Sequence, residues 1–178
     1  MYAQLNTKTV FSFMDATVKL TDYITAAKAL GYQSLGISDS DNLHAAHHFI
    51  MQAQAADIQP VIGYETTLLL NSLAINFTFI AKTNTGLKNL YSISSKKNFG
   101  FNDFSDMQSH LSDVALIIPA DSAIDSILSQ LPQNDVYVGL AQPMTQGFLR
   151  PKIPFLTVRY LNAGDAETLA ILHHIKNG

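Results

Sequence analysis

The chain has 178 residues, 47% of them hydrophobic, which is enough for one compact domain with a core and too apolar for a disordered segment. Its 11 Lys+Arg against 14 Asp+Glu leave a net charge of −3, which excludes a global basic field that would recruit nucleic acid. Cysteine is absent, which excludes disulfides and thiolate metal sites and fits a reducing cytoplasm.

Strand-like and helix-like segments alternate along the chain. Tyr2 to Lys8 reads as a short strand, with no charged or apolar leader before it. Thr21 or Asp22 can cap a helix whose inner face holds Ile24, Ala27 and Leu30 and which Gly31 stops. Ser34 to Ile37 is a short buried strand, and Leu43 to Ala56 a helix with Phe49 and Ile50 inward. Pro60 to Leu70 and Asn76 to Ala81 are strands, and Asn84 can cap a helix through Leu87, Leu90 and Ile93. The stretch from Ser95 to Asp106 reads as a loop pinned by Phe99, Phe101 and Phe104. Then come a strand at Val114 to Ile118, a helix at Ala123 to Leu131 and a strand at Val136 to Leu140. A loop at Gln142 to Pro151, a strand at Phe155 to Val158 and a closing helix at Asp165 to Lys176 follow. The apolar run at Leu68 to Leu70 is cut by Asn71 and Ser72, far short of the roughly 20 residues of a membrane helix. Such alternation predicts parallel βαβ units, in which chemistry gathers at the carboxyl ends of the strands.

Those ends carry a specific pattern. Ser38-Asp39-Ser40-Asp41-Asn42-Leu43-His44-Ala45 leads into Ile58-Gln59-Pro60-Val61-Ile62-Gly63-Tyr64-Glu65. With Ser12-Phe13-Met14-Asp15, the segment Ala81 to Leu90, and Tyr160-Leu161-Asn162 before Asp165-Ala166-Glu167, it resembles the PHP (polymerase and histidinol phosphatase) domain of bacterial DNA polymerase III alpha subunits. The match is dense over the first half and the last stretch, and poor between Asn98 and Lys152. The resemblance implies an α/β fold of the distorted (β/α)7, TIM-like barrel type, filling residues 1–178 as one domain at the N-terminus of a longer polymerase. It also implies a bacterial, cytoplasmic setting in DNA replication. The expected partners are the remainder of the polymerase chain, a proofreading exonuclease or other replisome subunit, and DNA through the parent protein, with no membrane.

Intact members of the family bind Zn, Mn or Fe through His and carboxylate ligands, and the parent polymerase uses Mg. Here the family's opening His-x-His falls on Asn6-Thr7-Lys8, the histidine of its Asp-His pair on Ser40, a later histidine on Asn76, and its closing Asp-x-His on Thr157-Val158-Arg159. Only Asp15, Asp39 and Glu65 keep ligand-capable carboxylates. Charged Lys and Arg cannot be ligands, and a two-metal phosphoesterase needs donors for ions about 4 Å apart. The expectation is a vestigial site without catalytic residues or bound metal, in which Lys8 and Arg159 neutralise Asp39 and Glu65. The alternative is an active phosphoesterase or 3′–5′ exonuclease, for proofreading or pyrophosphate hydrolysis; a stand-alone α/β binding module is a third reading. Two weaker features remain. His44 and His48 share a helical spacing that can grip a metal, but no Glu or third ligand accompanies them and, with His47, they read as solvent-facing on an outer helix; His173 and His174 are read as surface or interdomain residues, and His110 carries no signal. Lys88, Lys96 and Lys97 beside Phe99 and Phe101 form either a small phosphate-contacting patch or a solvated helix end.

Overall fold

The computed structural model describes residues 3–122, 125–142 and 147–177. Its chain order is β1 (Asn6–Thr7), α1 (Leu20–Ala29), β2 (Ser34–Ser40), α2 (Ala46–Ala55), β3 (Gln59–Leu70), β4 (Leu73–Ala81), α3 (Asn84–Asn98), α4 (Phe104–Met107), β5 (Val114–Pro119), α5 (Asp125–Leu128), β6 (Val136–Leu140), β7 (Lys152–Pro154), β8 (Thr157–Val158) and α6 (Asp165–Asn177). A six-stranded sheet runs β2-β3-β4-β5-β6-β7, and β1 pairs with β8 beside it. The β2–β3, β5–β6, β6–β7 and β1–β8 pairs are parallel, and β4 is antiparallel to both neighbours.

The sheet curls, and its two faces bury different clusters. The concave side holds Ile80, Ile117 and Phe155, with Leu5, Val61 and Tyr137 packed on them. The convex side meets the helices in the larger core, where Tyr23 stacks on Phe49 at 6.4 Å and Phe77 on Phe104 at 5.0 Å. Tyr23 also ties α1 to the sheet: its hydroxyl receives a bond from Thr7 Oγ1 (2.6 Å) and donates to the Gly36 carbonyl (3.0 Å).

The expected barrel of seven β/α units is not formed in full. Asn71 and Ser72 both adopt positive φ, 50° and 65°, the conformation of a tight hairpin turn, so β3 folds straight back into antiparallel β4 with no helix between them. A single bridge, Gln4 to Leu35, joins the β1 segment to β2. The strand expected at Phe155 to Val158 shortens to β8, which pairs with β1, and a separate strand not expected from the sequence, β7, precedes it and pairs with β6. Phe155 turns inward between these two strands and packs over Gly139, where an added Cβ would stand 3.0 Å from the ring's own Cβ. The architecture is therefore a curled, parallel-rich half-barrel with helices on its outer face.

Several local expectations shift. Helix α3 is capped by Thr83, not Asn84: Thr83 Oγ1 accepts from the Thr85 and Gly86 amides at 3.1 and 3.2 Å. Thr83→Ala is expected to cost about 1 kcal/mol, measured by urea unfolding. The helix continues through Asn98, and of the three phenylalanines only Phe104 is buried, Phe99 and Phe101 being exposed. Lys96 and Lys97 clip the following turn by donating to the Asp106 carbonyl (2.7 Å) and to Thr67 O and Asn102 Oδ1 (2.8 and 2.6 Å). Helix α5 spans only Asp125–Leu128; Ala123 and residue 124 of the expected helix lie outside the described residues, as do Tyr2 of the first strand and residues 143–146 of the loop before β7. Among the described residues no helix is long and apolar enough to cross a membrane.

Candidate functional site

The carboxyl ends of β1 and β2 and the middle of β3 bring Lys8, Asp39, Ser40 and Glu65 together. The β2–β3 register sets Ser40 opposite Glu65, and parallel pairing of β1 with β8 sets Asn6 opposite Thr157. Lys8 follows β1, held by its own amide on the Val158 carbonyl (2.9 Å), and its side chain runs inward until it has no solvent exposure.

A fully buried ammonium has to be matched. Lys8 Nζ lies 2.9 Å from Glu65 Oε1 and also donates to the Ser38 carbonyl. Burial lowers the Lys8 pKa most strongly, the hydrogen-bonded Glu65 carboxylate and then Asp39 oppose that, and Arg159 adds a smaller repulsion. Glu65, at the mouth of the pocket, also accepts from Ser40 Oγ (3.3 Å) and Thr78 Oγ1 (3.4 Å).

Asp39 is 2% exposed and is satisfied without a cation in contact. Its Oδ1 accepts from the Thr9 amide (2.6 Å) and Ser12 Oγ (2.7 Å), and its Oδ2 from Thr9 Oγ1 (2.7 Å). The Ser40 amide donates to Ser12 Oγ at 3.1 Å, so the loop after β1 is laced to the end of β2.

Arg159 does not pair with Asp39 or Glu65 as expected. Its Nε lies 3.2 Å from Asp15 Oδ1, and His173 Nε2 of α6 reaches the same oxygen at 3.1 Å. The reason is connectivity: the Arg159 carbonyl accepts from the Thr17 amide (2.9 Å), which holds Arg159 beside the Asp15 turn. Asn6 Nδ2 donates to Thr157 Oγ1 at 2.8 Å, while its buried Oδ1 has no hydrogen-bond partner among the described residues. Asn76 lies apart from the group; it is exposed on β4 opposite Thr67, two pairs beyond the Thr78–Glu65 pair. Nothing in the spacing of Thr9, Thr78 or His173 marks them as part of this group, since lone Thr and His residues carry no motif. His44 precedes α2 in a turn and His47 and His48 are exposed on it, so all three face outward and His44 does not share a helical turn with His48.

A family model described as the PHP domain matches residues 4–128. The chain belongs to the PHP-domain family. It is 38% identical over 180 residues to DNA polymerase III subunit alpha of Streptococcus pyogenes serotype M3, covering 99% of this chain and 17% of the relative. It is 29% identical over 184 residues to DNA polymerase III subunit alpha of Staphylococcus epidermidis, with the same coverage. The chain thus spans about a sixth of the length of these curated relatives. Among solved structures it is similar to an amidohydrolase from Chromobacterium violaceum, at 10% identity and a TM-score of 0.49 over 96% of both chains.

The metal centre that PHP relatives imply does not fit the residues of this PHP domain. The Lys8 ammonium sits against Glu65, where a cation ligated by that carboxylate would have to stand. Both Asp39 oxygens are engaged by Thr9 and Ser12, and Asp15 is engaged by Arg159 and His173. Among the described residues no three His, Asp or Glu side chains converge as a set that could hold an ion. What the described residues of this pocket offer instead is a buried ion pair and a set of hydrogen-bonded carboxylates and hydroxyls.

Proposed function

We propose that this PHP domain is a non-catalytic scaffold within the alpha subunit of a bacterial replicative DNA polymerase. The observation that carries the reading is the Lys8–Glu65 pair: a buried side-chain cation neutralises the carboxylate that a metal ion would otherwise occupy. An electrostatically closed pocket holds loop, strand ends and α6 together, which is the property a scaffold needs and a hydrolase does not. Asn6, Lys8, Asp15, Asp39, Ser40, Glu65, Asn76, Thr157 and Arg159 are then the vestige of a site, with no catalytic residue among them. The 38% identity to an S. pyogenes DNA polymerase III subunit alpha supports the replication setting. In that setting the domain is one part of a much longer chain in the bacterial cytoplasm. Its first partner is the remainder of that chain, its second a proofreading exonuclease or other replisome subunit, and DNA is reached through the parent protein, whose polymerisation uses Mg.

The test uses the full-length polymerase. Removing the domain is expected to lower the melting temperature and the primer-extension rate. Exchanging the pocket pair for neutral residues, Lys8→Met with Glu65→Gln, is expected to leave extension unchanged and to remove no hydrolytic activity. Unchanged melting and extension after removal of the domain would defeat the scaffold reading, as would loss of a metal-dependent hydrolysis on exchange of the pair.

A further inference from the structure

Helix α6 is apolar on two sides. Of its 13 residues only Leu169 is buried, with Leu172 partly covered and His173 on Asp15 along the same inner face. On the outer side Ile171 and Ile175, spaced i, i+4, are 61% and 60% exposed. A surface helix of a finished domain carries one apolar stripe, whereas a helix apolar on opposite sides is covered on both. A helix of this length is also marginal without packing on a substantial face. The curated relatives match this chain over 99% of its length and are about six times as long, so further parts of the same polypeptide lie within reach at high effective concentration.

We propose that the Ile171–Ile175 face of α6 is a docking surface covered by another part of the polymerase chain, so that α6 is the element shared between this domain and the polymerase body. This rests on the scaffold reading and gives it a place. The inner face fixes the helix to the pocket through His173, Asp15 and Arg159, and the outer face carries the contact outward. The partner surface is apolar, because neither isoleucine presents a polar group.

The test compares full-length polymerase with its Ile171→Glu/Ile175→Glu variant. Hydrogen exchange is read along α6, melting by calorimetry and mass by light scattering. A second variant, Leu30→Glu, makes the same change at a residue 76% exposed at the end of α1. The expected result is faster exchange along α6 and a melting temperature lower by several degrees in the double variant, with neither change in Leu30→Glu and no change in mass. Unchanged α6 exchange in the double variant overturns the proposal. So does a drop from dimer to monomer mass, which would assign the face to a second copy of the chain. If α6 exchange is unaffected while removal of the domain still lowers melting, the docking surface fails and the scaffold reading stands.

Discussion

Lys8→Met is expected to lower the unfolding free energy by about 3–5 kcal/mol. Met fills most of the volume of the lysine stem, so the loss is electrostatic, not steric. It leaves the Glu65 carboxylate with only the Ser40 and Thr78 hydroxyls, both longer than 3.2 Å. Glu65 keeps 14% side-chain exposure, which lets it take water or a proton and puts the cost toward the lower end of that range. Adding Glu65→Gln is expected to return at least half of the loss, because replacing both members of a buried pair removes the stranded charge. Urea unfolding of the two single variants and the double variant measures this coupling. Simple additivity would show that the two groups do not compensate one another.

The same lysine gives a pH dependence with a defined sign. Its pKa is lower in the fold than in the unfolded chain, chiefly through burial. Between the lowered value and the ordinary lysine value the unfolded chain therefore binds more protons. In that window the stability contributed by this group rises as pH rises, and it falls as pH drops through the folded pKa. The difference between wild type and Lys8→Met, followed from neutral pH upward, is expected to widen across the window. Taking the difference cancels other groups that titrate there, among them Tyr64, whose phenol burial pushes up to about 12.

Asp39→Ala is expected to cost about 3–5 kcal/mol for a different reason. Three donors, the Thr9 amide, Thr9 Oγ1 and Ser12 Oγ, lose a charged acceptor inside the protein, and the Thr9 amide has no ready alternative. The loop after β1 is then untied from β2, and the favourable influence of Asp39 on the Lys8 ammonium disappears as well. Asp39→Asn keeps the shape and one acceptor oxygen, and is expected to cost only about 1–2 kcal/mol. Equal costs for Ala and Asn, measured by the same urea unfolding, would mean that the hydrogen-bond geometry is not what holds the loop.

Much of this arrangement was legible in the residues, and the exceptions are instructive. The alternation of elements located β2, α2, β3, β5, β6 and α6 to within a few residues, because each has a clear apolar period or a stop signal. The barrel was overestimated because strand counting cannot see that Asn71 and Ser72 take left-handed backbone and close a hairpin. The strand assigned to Phe155 to Val158 was too long because its apolar run does not show that Phe155 turns in over Gly139, between β7 and β8. In the pocket, motif register placed Lys8 next to Glu65 correctly. It could not foresee that Arg159 would be drawn to Asp15, since that choice depends on a backbone bond between Thr17 and Arg159, residues 142 positions apart. His173 joins the same carboxylate from the last helix, a contact with no local sequence signal at all.

The measurement that bears most directly on a pocket closed by its own side-chain charges is the metal content of the full-length polymerase, purified without chelators or a polyhistidine tag. Transition metal well below one equivalent per chain is predicted, with Lys8→Met/Glu65→Gln leaving that content unchanged. Manganese, zinc or iron near one equivalent per chain, lost in the double variant together with a phosphoesterase or exonuclease activity, would contradict the account.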